Sequence, residues 1–208
     1  MADNPSALNI ILIDDHPAIR KGLGILLGTR QHRISAEANS IAEARKILDQ
    51  QNFDIALLDL SLQDGSGLDL LPDLERLHIA ALVYSMHEES VLIDRAFRRG
   101  ALGYVSKQED ADILFEAIDT VTAGKKYFSP CVAQCLEQNE KEERLEESLS
   151  DRERQIFSLM GQGFGNTEIA DKLGLSRRTV ETYCNRMARK FDLKGRKELR
   201  KYAISAAQ

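Results

Sequence analysis

The sequence predicts an α/β domain with a five-stranded parallel sheet, followed by a small all-α domain. From Leu8 to about Gly124, short apolar runs alternate with amphipathic stretches, which makes five β-then-α units. Such a repeat is typical of a parallel sheet with helices on both faces. The run FDIALL at 53–58 is apolar without alternation, as expected of a central strand buried on both sides. No strand-like run follows Leu149, so we expect only helices there.

The individual elements of the first domain follow from the same patterns. Ser40 and Glu43 have the spacing of a capping box, which predicts that a helix begins at Ile41. We predict strands at 8–13, 33–38, 53–58, 80–85 and 103–106, and helices at 17–28, 41–50, 67–77, 88–99 and 110–123.

A linker is predicted at 125–148, between a first domain at 1–124 and a second at 149–208. Ser129 followed by Pro130 is a favourable helix start, and apolar residues become scarce from Glu137 to Glu147. We therefore expect a partly helical linker. The second domain should contain four helices, with starts near Ser150, Asn166, Ser176 and Lys197.

Composition restricts the classes of protein to which the chain can belong. Of its 208 residues, 43% are hydrophobic and 29% charged, and no apolar run approaches the roughly 20 residues that span a bilayer. The N-terminus lacks the pattern of a signal peptide, so we expect a cytoplasmic protein without a membrane partner. The three cysteines, Cys131, Cys135 and Cys184, have no metal-binding spacing and are interpreted as reduced packing residues.

Charge is divided unevenly along the chain. The net charge of −5 combines −11 over residues 1–148 with +6 over residues 149–208. An acidic domain followed by a short basic one is typical of a regulatory or enzymatic domain joined to a nucleic-acid-binding module.

Polar residues follow four of the predicted strands at their carboxyl ends. They are Asp14, Asp15, Asp59, Ser85 and Lys107. In an open parallel sheet this edge is where ligands bind. Each residue alone has a simpler explanation, and Asp15 in particular could cap the following helix. Convergence of all five on one edge favours a binding site.

Three carboxylates at one place require a cation, and Mg²⁺ fits best because it binds oxygen ligands and retains several waters. His16 lies at the helix start, and we do not expect it to be a ligand. Carboxylates beside Mg²⁺, with a lysine and a hydroxyl within reach, suit phosphoryl transfer to aspartate.

Four segments of residues 8–124 resemble the receiver domain of bacterial two-component response regulators, which has a flavodoxin-like fold. They are LIDDHP, LLDLSLQDGSGLDLL, YSMH and GALGYVSK, in family order and spacing. The resemblance implies that Asp59 is the phosphoacceptor and that Tyr104 is an aromatic switch residue. It further implies that Ser85 and Lys107 bind the phosphoryl group, and that Mg²⁺ is held by Asp14, Asp15, Asp59 and the backbone carbonyl of Ser61.

Two positions depart from the receiver pattern, and the adjacent aspartates distinguish the chain from a competing class of protein. Gln63 and Gln108 replace the prolines usual in the family, and Gln108 leaves open the geometry after Lys107. The competing class is an aspartyl-phosphate hydrolase, whose nucleophile and acid lie two residues apart after the first strand. The adjacent aspartates of this chain, with Asp59 much further on, favour a non-enzymatic receiver.

The third helix of the second domain has a buried stripe and a polar face. Val180, Cys184, Met187 and Phe191 have the spacing of one apolar face. The opposite face could be an ordinary solvated surface. The preceding short helix, the turn at Gly174 and the positive charge instead favour a helix-turn-helix whose second helix enters the DNA major groove.

The segment from Leu149 to about 205 resembles the LuxR/NarL-type DNA-binding domain, through LSDRERQIFSLMGQGFGNTEIADKLGLSRRTVETYCNRMARKFDL. The resemblance implies groove contacts by Arg178, Glu181, Thr182 and Asn185. It implies phosphate contacts by Arg177, Arg186, Arg189 and Lys190. Glu181 could accept a hydrogen bond from cytosine, and Asn185 could recognise adenine.

Together these features predict a transcription factor switched by phosphorylation of Asp59 by a sensor histidine kinase. The expected partners are that kinase and double-stranded promoter DNA, with a homodimer in the phosphorylated or DNA-bound state. One candidate dimer surface is the last helix, where Leu199, Tyr202 and Ala203 share a side. The alternatives are a helical domain that acts through protein–protein contacts and a DNA binder that is indifferent to phosphorylation.

Overall fold

A computed structural model describes residues 7–30 and 32–206, without the side chains of residues 142 and 143. The outer ends of the predicted domains, residues 1–6 and 207–208, lie outside the described residues. The chain divides into two compact units, of which the first ends at Glu137 and the second begins at Gln138. No helix in the described part has the length and apolar character needed to cross a membrane.

The first unit is a parallel sheet with helices on both sides, which confirms the predicted fold class. The order of strands in the main sheet is β2-β1-β3-β6-β7-β8, and every neighbouring pair is parallel. In chain order, its elements are β1 (Asn9–Ile13), α1 (Pro17–Gly28), β2 (Arg33–Ala38), α2 (Ile41–Leu48), β3 (Ile55–Leu58), β4 (Ser61–Leu62), β5 (Gly65–Ser66), a 3-10 turn (Gly67–Asp69), α3 (Leu71–Arg76), β6 (Ala80–Ser85), α4 (Ser90–Arg98), β7 (Gly103–Ser106), α5 (Ala111–Thr122) and β8 (Tyr127–Phe128).

The prediction of five strands was wrong in number, since β8 adds a sixth strand at the edge of the sheet. Its two residues pair with Gly103 and Tyr104 of β7. A strand of two residues is too short to produce a period-2 pattern, which explains why it was assigned to the linker. The following helix, α6 (Pro130–Glu147), begins at the predicted proline and continues through the charged stretch.

Two apolar layers hold the sheet between its helices. On one side, Leu23 and Leu27 of α1 and Phe115 of α5 pack against β1 and β3. On the other side, α2, α3 and α4 supply a second cluster, which contains Ile93 and Leu74. Residues 55–58 are fully buried, because a central parallel strand is covered on both faces.

The second unit is a four-helix module in which the α8–α9 pair has a helix-turn-helix arrangement. Its helices after α6 are α7 (Asp151–Gly161), α8 (Asn166–Leu173), α9 (Arg177–Lys190) and α10 (Arg196–Ser205). Ser150 and Glu153 form a complete capping box at the start of α7. Gly174 ends α8 with φ of 66°, a left-handed conformation that glycine adopts without strain.

The apolar side of α10 is not a free dimer surface. Leu199 and Ala203 are buried in the core of the second unit, and Tyr202 packs against Phe157 and Phe191. That prediction was therefore wrong for these three residues. Their periodicity indicated a covered face, but the covering residues belong to the same chain.

Candidate functional site

The predicted residues converge at the carboxyl edge of the main sheet. Lys107 Nζ lies 2.6 Å from Asp14 Oδ2 and 2.6 Å from Asp59 Oδ2. Ser85 Oγ donates a hydrogen bond of 2.8 Å to Asp59 Oδ1. Asp14, Asp59 and Ser85 are all buried, with at most 5% of each exposed. The site is therefore a buried carboxylate pair bridged by one ammonium group.

Main-chain hydrogen bonds fix the start of each loop that carries these side chains. Asp14 donates its N–H to Ala38, Asp59 to Ile13, and Lys107 to Ser85. The first residue of each loop is thus fixed to a neighbouring strand. The side chains therefore meet without a long flexible connection. Among the described residues every peptide bond is trans, including the one after Lys107.

The charge of Lys107 is maintained by its two partners. Burial by itself lowers the pKa of the ammonium group, but hydrogen bonds and the negative charges of Asp14 and Asp59 outweigh it. The net effect raises the pKa of Lys107 above its ordinary value, so the side chain stays charged throughout the physiological pH range.

Asp15 is the third carboxylate of the site, whereas Lys107 forms ion pairs with the other two, Asp14 and Asp59. Asp15 Oδ1 is buried and forms no hydrogen bond to the described residues, although His16 Nδ1 lies 2.7 Å away. Ligand atoms of Asp14, Asp15, His16 and Asp59 all lie within 4.8 Å of one another. A buried carboxylate oxygen without a hydrogen bond is costly, and a hard cation that binds oxygen ligands would satisfy it. The residues present therefore fit Mg²⁺.

A short hairpin, β4–β5, follows the phosphoacceptor candidate Asp59 in the chain and contacts it. Ser61 donates its N–H to Asp59 Oδ1 at 3.3 Å, and its hydroxyl lies 2.9 Å from His87 Nε2. A Cβ atom on Gly67 would overlap the main-chain carbonyl of Asp59. Gly67 was not among the predicted site residues, although it lies in the segment LLDLSLQDGSGLDLL, which resembles the receiver family. Its contact is made across a turn that sequence spacing alone does not define.

Tyr104 connects β7 to the loop after β6. Its side chain is buried, and its hydroxyl donates a hydrogen bond of 2.7 Å to the carbonyl of His87. Burial, reinforced by nearby carboxylates, raises the pKa of this phenol well above its usual range. Tyr104 is thus a neutral hydrogen-bond donor attached to the loop that begins at Ser85.

The α9 helix presents its charged face to solvent. Val180, Cys184, Met187 and Phe191 are buried as the apolar stripe predicts. Exposed side chains on the rest of the helix include Arg177, Arg178, Thr182, Asn185, Arg186 and Arg189. The exposed group carries four arginines and no carboxylate.

Glu181 differs from the exposed residues around it. Only 30% of its side chain is exposed, and its Oε1 lies 3.2 Å from Arg177 Nε and 3.3 Å from Arg196 Nη1. In the free protein its carboxylate is therefore already paired with two arginines of α9 and α10.

Lys190 forms an ion pair within the second unit. Its Nζ lies 2.7 Å from Glu153 Oε2 and 2.9 Å from the carbonyl of Ser148. Burial tends to raise the pKa of the Glu153 carboxyl, but Lys190 and the capping bonds from Ser150 outweigh it and lower that pKa. The partner of Lys190 is 37 residues away in sequence, so spacing gave no signal for the contact.

Comparison with known proteins identifies two family matches and several similar chains. Residues 10–119 match the family described as "Response regulator receiver domain", and residues 147–203 match "Bacterial regulatory proteins, luxR family". The transcriptional regulatory protein UhpA of Salmonella typhimurium is 34% identical over 193 residues, which are 92% of this chain and 95% of UhpA.

Solved structures show the same architecture. A LuxR-family two-component response regulator from Aurantimonas sp. is 32% identical, with a TM-score of 0.62 over 65% of this chain and 99% of that one. A structure of two RcsB dimers bound to two parallel DNAs has a TM-score of 0.60 over 96% of this chain and 99% of that one, at 24% identity. At that identity, the RcsB match supports the fold alone.

Proposed function

Because the chain belongs to the LuxR-family response regulators, which are transcriptional regulators of two-component systems, we propose that phosphorylation of Asp59 controls its binding to DNA. The observation that carries this proposal is the arrangement around Asp59. One carboxylate oxygen accepts the Ser85 hydroxyl, and the other accepts the Lys107 ammonium. The hydroxyl and the ammonium that would contact a transferred phosphoryl group are thus already in contact with the residue that would receive it.

Each residue at the sheet edge has a defined part in the proposed transfer. An Asp59 oxygen attacks the phosphorus of a sensor histidine kinase's phosphohistidine, the P–N bond breaks, and the imidazole leaves. Lys107 and Ser85 then contact phosphoryl oxygens in place of the carboxylate oxygens they now hold. Asp14, Asp15, Asp59 and the carbonyl of Ser61 would hold Mg²⁺, which neutralises charge on the phosphoryl group when bound. His16 is not assigned a ligand role.

The switch would act through Ser85 and the loop that follows it. Ser85 leaves its hydrogen bond to Asp59 when it turns to a phosphoryl oxygen, and Tyr104 holds the next part of that loop through His87. The phosphoryl group therefore biases an equilibrium between two arrangements of this loop. We expect the phosphorylated or DNA-bound protein to be a homodimer, because two copies of a helix-turn-helix domain can bind the two half-sites of an inverted repeat.

The DNA interface would be centred on the exposed face of α9. Arg178, Thr182 and Asn185 are accessible for base contacts, while Arg177, Arg186 and Arg189 are accessible for phosphates. Glu181 could accept from cytosine only after it leaves Arg177 or Arg196, and Lys190 could reach a phosphate only after it leaves Glu153. In this proposal the protein acts in the cytoplasm as a regulator and not as an enzyme.

The experiment that tests the function measures DNA affinity with and without phosphorylation. Full-length protein is treated with a small phosphodonor and Mg²⁺, and intact mass gives the acyl-phosphate content. Affinity is then measured on a duplex selected from random sequences by the wild-type protein. We expect phosphorylation to increase affinity about tenfold, a typical coupling between two sites. Equal affinity in both states would favour a DNA binder indifferent to phosphorylation, and no affinity would favour a protein-binding domain.

Two substitutions on α9 should have different signatures. Asn185→Ala is expected to weaken binding to the selected duplex by about 1–3 kcal/mol while random-sequence DNA is bound as before, because a base contact carries sequence information. Arg186→Ala should weaken binding to both duplexes and reduce the salt slope by about one. Affinities measured from low to moderate salt distinguish the two. Uniform loss for Asn185→Ala would contradict its assignment as a base contact.

A further inference from the structure

We propose that Arg20 is a positioning residue for the acidic site, and that it sets Mg²⁺ affinity by holding the peptide between Asp14 and Asp15. This inference rests on the proposed function. Arg20 lies in the first turns of α1, and Nη1 of its guanidinium donates a hydrogen bond of 2.6 Å to the carbonyl of Asp14. That carbonyl belongs to the peptide that joins the two adjacent aspartates.

The guanidinium is itself fixed from a second direction. Arg20 Nε lies 2.8 Å from Glu37 Oε2 on β2, and only 17% of the Arg20 side chain is exposed. Residue 37 is next to Ala38, whose carbonyl accepts the N–H of Asp14. The Asp14 residue is thus held at its N–H by β2 and at its carbonyl by a side chain that β2 also anchors.

A planar guanidinium can make both contacts at once because its donors have a fixed relative geometry. The torsions on either side of this peptide, ψ of Asp14 and φ of Asp15, set the relative directions of the two side chains. A contact that fixes the peptide carbonyl therefore restricts the separation of the two carboxylates. Outer residues that orient metal ligands commonly change affinity by 10–100-fold when removed. Arg20 has this relation to Asp14 and Asp15 without being a ligand.

Charge and positioning predict opposite results for the loss of Arg20. A cation beside an acidic site repels Mg²⁺, so charge alone predicts that Arg20→Met binds Mg²⁺ more tightly. Positioning predicts weaker binding, because the two carboxylates lose their fixed separation. Lysine keeps the positive charge but lacks the planar array of donors of a guanidinium. Positioning therefore predicts that the Mg²⁺ affinity of Arg20→Lys lies between those of wild type and Arg20→Met.

Arg45 provides a matched control with the same chemistry. Its Nε donates to Asp73 Oδ2 at 3.0 Å and its Nη2 to the carbonyl of Asp69 at 3.2 Å, and neither partner belongs to the acidic site. Arg45→Met therefore removes an arginine bonded to a carboxylate and a carbonyl elsewhere in the same unit.

The test measures Mg²⁺ affinity of the unphosphorylated full chain by calorimetric titration, with thermal unfolding in EDTA as a second readout. We expect Arg20→Met to raise the Kd for Mg²⁺ about tenfold, Glu37→Gln to raise it less, and Arg45→Met to leave it unchanged. At saturating Mg²⁺, the rate of phosphorylation by a small donor should return towards that of wild type. A role limited to stability would lower the unfolding temperature of Arg20→Met and leave the Kd of the folded protein unchanged.

The outcomes separate this inference from the proposed function. Tighter or unchanged Mg²⁺ binding by Arg20→Met, or wild-type affinity in Arg20→Lys, overturns the positioning role while the magnesium site stands. If Arg20→Met does not fold, Arg20→Lys and Glu37→Gln decide the question in the same assay. A wild-type protein that binds no Mg²⁺ overturns the metal site and this inference together.

Discussion

Replacement of Asp59 by asparagine is expected to abolish phosphorylation and the phosphorylation-dependent gain in DNA affinity. The amide that replaces the reacting oxygen is not a nucleophile, so no acyl phosphate can form at this position. The fold should persist, because the remaining amide oxygen can still accept from Ser85 or Lys107, and Lys107 retains Asp14. Intact mass after treatment with a phosphodonor and Mg²⁺ measures the first effect, and affinity for the selected duplex measures the second.

Asp49→Asn is the matched control for this substitution. Asp49 is the exposed residue that follows α2, and its N–H donates to the carbonyl of Arg45. Its side chain makes no hydrogen bond or ion pair within the described part of the chain. Its loss of charge equals that of Asp59→Asn, so any general effect of charge on DNA binding appears in both variants. Full acyl-phosphate content in Asp59→Asn would identify another acceptor. A gain in DNA affinity without acyl phosphate would separate the switch from Asp59.

The residues of the sheet edge could be predicted because the physics of a parallel sheet is simple. Apolar runs in the sequence indicate buried strands, and parallel pairing brings the carboxyl ends of these strands to one edge of the sheet. Asp14, Asp59 and Lys107 could therefore be placed at the same edge from the strands alone, whereas their proximity also depends on the strand order β1-β3-β6-β7. The distances between their side chains could not be predicted. They depend on main-chain hydrogen bonds that fix the start of each loop, such as the bond from the N–H of Lys107 to the carbonyl of Ser85.

Three other features could not be predicted from the sequence, each for a physical reason. The edge strand β8 is two residues long, so it has no period to detect. The apolar side of α10 was visible, but a pattern does not say whether the covering surface is internal or belongs to a second copy. The pairing of Glu181 with Arg177 and Arg196 depends on the packing of α10 beside α9, which spacing along one helix does not specify.

The second large effect expected is the destabilisation of the C-terminal unit by Lys190→Met. This change leaves the Glu153 carboxylate, 4% exposed, with only its bonds to Ser150. Loss of one partner of a fully buried pair costs roughly 3–5 kcal/mol. Because 37% of the Lys190 side chain is exposed and solvent screens the pair, we expect about 2 kcal/mol, or a decrease of about 10 °C in unfolding temperature.

Calorimetry of the full chain can assign this loss to the second unit, with unfolding of the first unit as an internal reference. The double variant Lys190→Met/Glu153→Gln should recover part of the stability, since a neutral amide leaves no unpaired charge. Additive losses from the two single substitutions would show that the residues are not coupled. Unchanged stability of Lys190→Met, together with a salt slope of DNA binding reduced by about one, would show that Lys190 acts as a phosphate contact and not as a stabilising partner of Glu153.

The pH dependence supplies an independent test of the same pair. The pKa of Glu153 is lower in the folded protein than its ordinary value of 4.5, so the stabilisation is complete above that unfolded pKa. It is lost as pH falls through the folded pKa and Glu153 becomes protonated. The difference in stability between wild type and Lys190→Met should therefore be constant near neutral pH and narrow below about pH 4. A difference that persists unchanged in acid would mean that Lys190 stabilises the unit through the Ser148 carbonyl or its aliphatic stem, and not through the charge of Glu153.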